Sequence, residues 1–281
     1  MTKFFMMVGI SGSGKTYYAH SLGKNYIVLS SDEIRKELYG SEEVQENPAA
    51  VFELMKVRTI AALKEGKNVV YDATNLVRKR RVALLQQLPA NVLKTAVVVC
   101  TPITTCLKQN DARERQVPHE VIMNQLKVFE VPVEAEGFDH VITVMSGVEQ
   151  RDFYENICNQ MSHDSKYHTR GVGEHTKAMV KAAHADEPEN DFLHKLCRYH
   201  DIGKALTKTV DESGAGHFYG HEHVSAYITL GITGDLRLAA LVGEHMKLHN
   251  ENFNVDKLKK YFTEEDIKYL RRLNYYDKTY D

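Results

Sequence analysis

The stretch GISGSGKT, Gly9 to Thr16, constrains the fold of this chain more than any other part of its sequence. It follows the apolar run KFFMMV and precedes a segment compatible with a helix. Glycines in such a turn let backbone N–H groups approach phosphate oxygens, and the context of strand, loop and helix is typical of a P-loop. A chance match in a flexible loop is the alternative, and the coincidence of all three elements argues against it.

The hydrophobic pattern changes near residue 150, in the stretch SGVEQRD. Before this point, helical stretches separate five short β-branched runs, which are KFFMMVGI, NYIVLSS, KNVVYDA, LKTAVVVC and DHVITVM. Such alternation is typical of βαβ units on a parallel sheet. After it, helical stretches such as EHTKAMVKAAH and DFLHKLCRYH are joined by polar loops. The sequence therefore predicts an α/β domain with a parallel sheet over residues 1–150, followed by an all-α domain over residues 151–281.

Composition narrows the functional classes. The chain has 36 basic and 38 acidic residues, so its formal net charge of -2 creates no global field that attracts a polyanion. Any contact with nucleic acid must then come from local patches. Four cysteines without a CxxC spacing argue against a disulfide scaffold and favour a reducing, cytoplasmic compartment. The short apolar run at the N-terminus fits a buried strand, so we expect neither a signal peptide nor a membrane span.

The residues of the P-loop have distinct expected roles. Backbone N–H groups of the loop should surround the phosphates, and Lys15 should reach the β- and γ-oxygens of a nucleotide. The Thr16 hydroxyl is a candidate ligand for Mg²⁺, and the strand-end carboxylate of Asp72 is expected to hold the same ion through water. The loop residues expected to contact the nucleotide are Gly9, Ser11, Gly12, Ser13 and Gly14. A P-loop by itself indicates a nucleotide and leaves the reaction open.

The stretch LSSDEIRKELYG indicates a site for the acceptor. Asp32 should close a strand, and Arg35 lies one helical turn later, so both side chains can face the carboxyl edge of the sheet. A carboxylate there can accept a proton from an attacking hydroxyl, and an arginine can hold a phosphate of the acceptor. The alternative is a helix-capping aspartate followed by an exposed arginine.

Two further basic segments are ambiguous. The run RKRR, residues 78–81, could bind a nucleic-acid backbone, although such a run more often forms a solvated helix face. The stretch QNDARERQVPHE has the character of a mobile lid that brings Arg113 or Arg115 over a transferring phosphoryl group.

Taken together, GISGSGKT, SSDEIR, DATNL and CLKQNDARERQVP resemble the kinase domain of the polynucleotide 5'-hydroxyl kinases over roughly the first 150 residues. The resemblance implies that Lys15 and Thr16 serve ATP·Mg²⁺ and that Asp32 is the general base. It also implies that Arg35 holds the acceptor phosphate. Either Arg113 or Arg115 would clamp the donor. The two arginines lie closer together and closer to the VP dipeptide than the family pattern suggests, which leaves the choice between them open.

The second half contains an ordered series of histidines and acids in YHTRGVGEHTKAMV, CRYHDIGK, HFYGHEHVSA, LVGEHMKLHN and LNYYDKTYD. This series resembles the HD superfamily of metal-dependent phosphohydrolases. The resemblance implies a first metal site at His175, His200, Asp201 and Asp277, and a catalytic contact from Lys204 to the scissile phosphate. His221 and His245 would add a second ion that shares Asp201. Imidazole and carboxylate ligands suit Mn²⁺, Fe²⁺, Ni²⁺, Co²⁺ or Zn²⁺.

The remaining histidines are weaker candidates. Four lie near the pattern but off its expected positions, namely His168, His217, His223 and His249. The others are interpreted as surface or hydrogen-bonded core residues, namely His20, His119, His140, His163, His184 and His194.

A kinase joined to an HD domain suggests the healing of RNA or DNA ends. A broken RNA often carries a 5'-hydroxyl on one side and a 2',3'-cyclic, 2'- or 3'-phosphate on the other, so this chain would repair both sides for a separate ligase. It resembles the bacterial fusions of HD domains with polynucleotide kinases, with the domain order reversed. Two alternatives stay open at this point: a small-molecule or nucleoside kinase fused to an HD nucleotidase, and a nucleotide-sensing regulator.

Overall fold

A computed structural model of the chain describes residues 1–44, 46–164 and 169–280. Within these residues the chain divides into two compact units, Met1–Ile122 with Pro132–Ser146, and Met123–Val131 with Gly147–Asp281. In chain order, the elements up to residue 146 are β1 (Thr2–Val8), α1 (Lys15–Ser21), β2 (Tyr26–Ser30), α2 (Ser31–Tyr39), α3 (Pro48–Lys64), β3 (Asn68–Asp72), α4 (Arg78–Leu85), β4 (Val92–Cys100), α5 (Ile103–Asp111), α6 (His119–Leu126) and β5 (His140–Met145).

The five β-branched runs form one parallel sheet in the order β2-β3-β1-β4-β5. Met7, Val70 and Val97 are fully buried in a core cluster of this sheet, as expected for strands covered by helices on both faces. The predicted α/β fold with a parallel sheet is confirmed. Because β3 lies between β1 and β2, the P-loop after β1, the end of β3 and the start of α2 meet at one edge of the sheet.

The second unit is helical. Its elements are α7 (Arg151–Asn159), α8 (Val172–Asp186), α9 (Asp191–Tyr199), α10 (Lys204–Thr207), β6 (Thr209–Val210), β7 (Gly216–His217), α11 (His221–Thr233), α12 (Leu236–Glu244), α13 (Asp256–Lys259) and α14 (Glu264–Thr279). The expected all-helical character holds except for the two-residue strands β6 and β7, which pair as a short antiparallel hairpin. The segment 123–131 belongs to this unit. Within it, the ring of Phe129 packs edge-on against the ring of Tyr227, with 5.1 Å between the ring centres.

The RKRR run is neither a solvated face nor a nucleic-acid contact over its whole length. Arg78 and Arg81 are buried, and Arg81 forms two hydrogen bonds of 2.7 Å with the fully buried carboxylate of Glu136. Arg81 also donates to the backbone carbonyls of Asn75 and Leu76 at 3.0 and 2.9 Å. The run is therefore mainly structural, because a buried carboxylate requires paired and hydrogen-bonded cations.

The four cysteines are free and buried, which agrees with the absence of a disulfide framework. Across the described ranges, every helix is too short or too polar to cross a bilayer.

Candidate active sites

The P-loop has the backbone that a phosphate cradle requires. Gly12 and Gly14 adopt positive φ angles of 81° and 90°, in the left-handed region that favours glycine. A Cβ atom on Gly12 would also lie 2.2 Å from the carbonyl oxygen of Cys106. Thr101 Oγ1 donates a 2.7 Å hydrogen bond to the carbonyl of Ser13, which ties the loop to the end of β4. Gly14 then caps α1, whose free N–H groups can receive a phosphate.

Lys15 is buried inside this loop. Its Nζ donates to the Ile10 carbonyl at 2.7 Å and lies 3.5 Å from Ser13 Oγ. Burial lowers the pKa of Lys15 to about 8, although the carboxylates of Asp72 and Asp32 act in the opposite direction. The ammonium is thus held by backbone and hydroxyl oxygens, which a nucleotide phosphate can replace.

Thr16 and Asp72 come together as the sequence predicts. Thr16 Oγ1 donates a 2.7 Å hydrogen bond to Asp72 Oδ2, at the carboxyl end of β3. Burial raises the pKa of Asp72, although the Thr16 hydroxyl and the charge of Lys15 act in the opposite direction. A hydroxyl and a carboxylate oxygen fit the preference of Mg²⁺ for hard oxygen ligands.

Asp32 does not close a strand, because β2 ends at Ser30 and Asp32 lies in the first turn of α2. Ser30, whose hydroxyl accepts from the Asp32 N–H, is the helix cap in its place. Arg35 is buried and pairs with Asp32 Oδ1 at 2.6 Å, so the alternative of an exposed arginine is wrong. The Nε atom of Arg35 has no hydrogen-bond partner among the described residues, an arrangement that favours the binding of an anion there.

The two lid arginines lie near different parts of this site. Arg115 Nη1 lies 3.2 Å from Asp32 Oδ1 and 3.6 Å from Glu42 Oε2. Arg113 is close enough to Lys15 for its charge to lower the pKa of that lysine. Asn110 fixes the loop by two 2.9 Å hydrogen bonds to the backbone of Val117. Sequence reasoning missed both Asn110 and Glu42.

The candidate metal ligands of the second unit lie in helices or at their ends. His175 is in α8 and Asp277 in α14, whereas His200 and His245 follow the last residues of α9 and α12. His221 is the first residue of α11. Helix packing therefore brings together residues that are far apart in the sequence, and all of these side chains are buried.

Asp201 is the centre of the cluster. His200 Nε2 lies 3.3 Å from its Oδ2 atom, and His221 Nε2 lies 3.1 Å from its Oδ1 atom. Two groups of ligand atoms result, one of His175, His200 and Asp201 and one of Asp201, His221 and His245, each within 4.8 Å. A carboxylate that offers one oxygen to each group can bridge two metal ions.

Three of the histidines are held in the tautomer that a metal requires. The Nδ1 atoms of His200, His221 and His245 lie 2.9, 2.8 and 2.7 Å from backbone carbonyl oxygens three residues earlier. Since a carbonyl only accepts, each Nδ1 carries the proton and each Nε2 can offer its lone pair to the cluster. His200 Nε2 is buried and lies 3.3 Å from Asp201 Oδ2 and 3.6 Å from Asp277 Oδ1, without the geometry of a hydrogen bond to any described residue. The donor set fits a divalent transition metal.

The electrostatics of the cluster also favour a cation. Burial raises the pKa of Asp201, but His200 and Lys204 outweigh burial and hold it well below its usual range. Burial, His221 and His200 together lower the pKa of His245 well below its ordinary value, which keeps the imidazole neutral. Burial also lowers the pKa of His200, but Asp201 and Asp277 outweigh it and raise the pKa to about 10. A metal ion at Nε2 would compete with that proton.

The histidines off the pattern fall into three groups. His249 Nε2 lies 2.7 Å from Asp277 Oδ2, so it contacts the cluster from the side opposite His175, which lies 2.8 Å from Oδ1. His217 and His223 pair instead with Asp211 and Glu222. His168 lies outside the described residues.

Comparison with sequence families separates the two halves of the chain. Residues 4–132 match the AAA domain family, and residues 166–279 match the HD domain family. The chain joins a kinase-like P-loop domain to an HD domain. The P-loop, Asp32 and the lid arginines lie in the AAA domain, and the whole histidine and aspartate cluster lies in the HD domain. No curated protein matches the sequence of this chain.

Solved structures show more distant similarities. A chain of a Pnkp1/Rnl/Hen1 complex is 22% identical, with 42% of each chain covered and a TM-score of 0.36. A sugar kinase from Janibacter sp. HTCC2649 is 21% identical over 52% of this chain and 86% of its own, with a TM-score of 0.38. A fungal RNA kinase is 14% identical over 73% of this chain and 49% of its own, with a TM-score of 0.39. The chain spans less than half of the length of the first and third of these proteins.

Gly203 of the HD domain has a role that sequence reasoning missed. A Cβ atom at this position would lie 2.4 Å from both the His221 carbonyl oxygen and the Ser225 backbone nitrogen. The Gly203 N–H also donates to Ser225 Oγ at 2.8 Å. The missing side chain thus lets the turn that carries Asp201 approach the start of α11, which brings His221 within reach of Asp201.

Proposed function

We propose that the chain is a bifunctional enzyme that heals nucleic-acid ends, with RNA as the preferred substrate. Its AAA domain would phosphorylate 5'-hydroxyl ends with ATP, and its HD domain would hydrolyse 2',3'-cyclic, 2'- or 3'-phosphate ends. The observation that carries the proposal is the acceptor site beside the P-loop, where a carboxylate and a buried arginine form a 2.6 Å pair. The HD cluster, with Asp201 shared by two groups of ligands, supports the second activity.

In the kinase reaction, Asp32 would act as the general base. Its Oδ1 atom is engaged by Arg35 and Arg115, whereas no described residue donates a hydrogen bond to Oδ2. Oδ2 is therefore the atom that would accept the proton of the attacking 5'-hydroxyl. Arg35 would bind a phosphate of the acceptor strand through its unpaired Nε, which positions that hydroxyl.

The donor side uses the P-loop. Lys15 would exchange its contact with the Ile10 carbonyl for the β- and γ-phosphates of ATP, and Thr16 and Asp72 would hold Mg²⁺. Arg113, which lies on the Lys15 side, would neutralise charge that develops on the transferred phosphoryl group. Arg115 would act on the acceptor side through Asp32, which assigns different roles to the two lid arginines.

In the HD domain, the cluster would hold one or two divalent metal ions. Such ions supply a water of lowered pKa and neutralise charge on the phosphate. His175, His200 and Asp277 would hold the ion on the Oδ2 side of Asp201, and His221 and His245 would hold the ion on the Oδ1 side. Lys204, whose ammonium lies 2.7 Å from Asp201 Oδ2, would contact a non-bridging oxygen of the phosphate.

Oligonucleotides labelled at each end provide the test. A substrate with a 5'-hydroxyl and a 2',3'-cyclic phosphate should gain a 5'-phosphate with ATP and Mg²⁺, and should lose its end phosphate with Mn²⁺, Ni²⁺ or Co²⁺. Activities on the RNA and DNA versions of this oligonucleotide show which nucleic acid the chain prefers. Arg35→Ala should impair phosphorylation most when the acceptor nucleoside carries a 3'-phosphate. Equal losses with a nucleoside that lacks this phosphate would support a small-molecule kinase and contradict the proposal.

A further inference from the structure

Lys204 is held by two acceptors at once. Its Nζ atom lies 2.7 Å from Asp201 Oδ2 and 3.0 Å from His163 Nε2. The ammonium also lies 5.2 Å from the centre of the Phe218 ring, within the range of a cation–π contact. The side chain is buried, unlike that of a typical surface lysine, so these contacts fix its direction.

His163 is oriented in the same way as the candidate metal ligands. Its Nδ1 atom lies 2.8 Å from the Arg170 carbonyl oxygen, so Nδ1 carries the proton and Nε2 is left as the acceptor that faces Lys204. His163 is only 2% exposed. Its ring packs edge-on against the rings of Phe218 and His175, with distances of 5.7 and 6.1 Å between the ring centres. His163 therefore has both its tautomer and its ring plane determined by neighbours.

We propose that His163 is a positioning residue of the HD site, which acts by aiming the ammonium of Lys204 at the substrate phosphate. An ammonium has three N–H donors in a tetrahedral arrangement. Asp201 alone would leave the group free to rotate about its hydrogen bond, whereas two fixed acceptors determine where the third donor points. This inference rests on the proposed hydrolase function of the HD domain.

A neutral acceptor suits this role better than a second carboxylate. A carboxylate would attract the ammonium more strongly and compete with the phosphate for its charge. The imidazole accepts one hydrogen bond and adds no negative charge beside the incoming anion. The arrangement thus directs the charge of Lys204 without neutralising it.

The test compares two variants of His163. His163→Phe keeps the ring but removes the acceptor, and it should lower kcat for hydrolysis of a 2',3'-cyclic or 3'-phosphate end by about tenfold to hundredfold. His163→Gln places an amide oxygen near the position of Nε2 and should restore most of this loss. KM should change less than kcat, because the charge on the phosphate oxygens is largest in the transition state.

A double variant separates positioning from a purely structural role. Because His163 acts through Lys204, adding His163→Phe to Lys204→Ala should lower kcat no further than Lys204→Ala alone. His194→Phe is the matched control, since His194 is also buried in the HD domain and bonded to a backbone carbonyl at 2.8 Å but does not contact Lys204. Metal content should remain that of the parent chain in all of these variants.

A second measurement does not depend on catalysis. In the metal-free, ¹⁵N-labelled chain, the protected ammonium signal of Lys204 can be assigned by its loss in Lys204→Arg. It should broaden or vanish in His163→Phe and persist in His163→Gln and His194→Phe.

Additive losses in the double variant, or an unchanged kcat and ammonium signal in His163→Phe, would overturn the assignment of His163. A parent chain that hydrolyses none of these ends would contradict the proposed function. In that case, the ammonium signal would still decide whether His163 holds Lys204.

Discussion

The Oδ1 atom of Asp201, in the turn between α9 and α10, lies 3.1 Å from Nε2 of His221, the first residue of α11. The other oxygen of the same carboxylate faces His200 and Lys204. Asp201 therefore joins two potential metal sites to a cationic side chain. The proposed hydrolysis by the HD domain depends on this arrangement.

The first prediction concerns the number of metal ions. The parent chain should bind two divalent ions, and replacing both His221 and His245 by alanine should leave one, because the remaining ligands belong to the other group. Metal content per chain, measured by elemental mass spectrometry after dialysis against Mn²⁺, checks this. His194→Ala is the control and should retain both ions. A double variant that keeps two ions would rule out the second site.

Gly203 provides a prediction that depends on shape alone. In Gly203→Ala the new methyl group would lie 2.4 Å from backbone atoms of His221 and Ser225, so the turn must move away from α11. We expect a loss of about 3 kcal/mol in the free energy of unfolding, the upper end for overpacking, together with weaker metal binding. Chemical denaturation and metal titration measure the two effects.

Gly243→Ala is the matched control for this change. A Cβ atom there meets only Ala226 Cβ, at 3.3 Å, near the C-terminal end of α12. Its effect on stability should be much smaller. Equal stability and metal affinity for Gly203→Ala and the parent chain would show that the close approach is not needed.

The lowered pKa of Lys15 predicts a pH dependence of nucleotide binding. Burial lowers this pKa to about 8 in the free chain, and nucleotide phosphates should raise it in the complex. Binding then takes up a proton above pH 8, so affinity should be constant below that pH and fall above it, by up to about tenfold per pH unit. Calorimetric titration in buffers of different ionisation enthalpy measures the proton uptake. Lys15→Arg, which stays charged, should lose this dependence, and the same slope in that variant would refute the assignment.

Asp32 is predicted to act through its basicity. Asp32→Asn preserves the size of the side chain and should lower kcat for 5'-phosphorylation by about 10²- to 10⁴-fold, with less effect on KM for ATP. Glu37→Gln is the control, because Glu37 lies on the same helix in an exposed pair with Arg58. Steady-state kinetics with a 5'-hydroxyl oligonucleotide provide the comparison. Near-parental activity in Asp32→Asn would exclude the role of general base.

The sequence predicts the fold and the main sites because their signals are local. β-branched runs with the length of buried strands predict β1 to β5, and the glycines of the P-loop predict the turn after β1. The pair His200-Asp201 is adjacent in the chain, so it is recognisable without knowledge of the helix packing. The positions of these residues in the structure agree with those expectations.

Other features depend on contacts that no local pattern reveals. Arg81 belongs to a basic run of the kind that more often forms a solvated helix face. Its partner Glu136 follows much later in the chain, and the two side chains form a buried pair. The sequence alone indicates an ordinary core or surface histidine at His163, because its partner Lys204 follows 41 residues later in the chain. No local pattern distinguishes Gly203 from the other glycines of the chain. The close approach of α11 shows why a side chain is excluded at this position.

The central claim is that one chain contains two independent sites for phosphoryl chemistry. Lys15→Ala should abolish ATP-dependent 5'-phosphorylation and leave metal-dependent hydrolysis intact, because its ammonium contacts Ile10 and Ser13 of the P-loop and would bind the nucleotide phosphates. Asp201→Ala should abolish hydrolysis and leave phosphorylation intact, because it removes the carboxylate shared by both ligand groups.

The most direct measurement is the ratio of the two activities in each variant, on one RNA with a 5'-hydroxyl and a 2',3'-cyclic phosphate. Circular dichroism first establishes that both variants are folded. The ratio should shift by orders of magnitude in opposite directions in Lys15→Ala and Asp201→Ala. Parallel loss of both activities in either folded variant would contradict it, since a single composite site or an obligatory coupling would then be required.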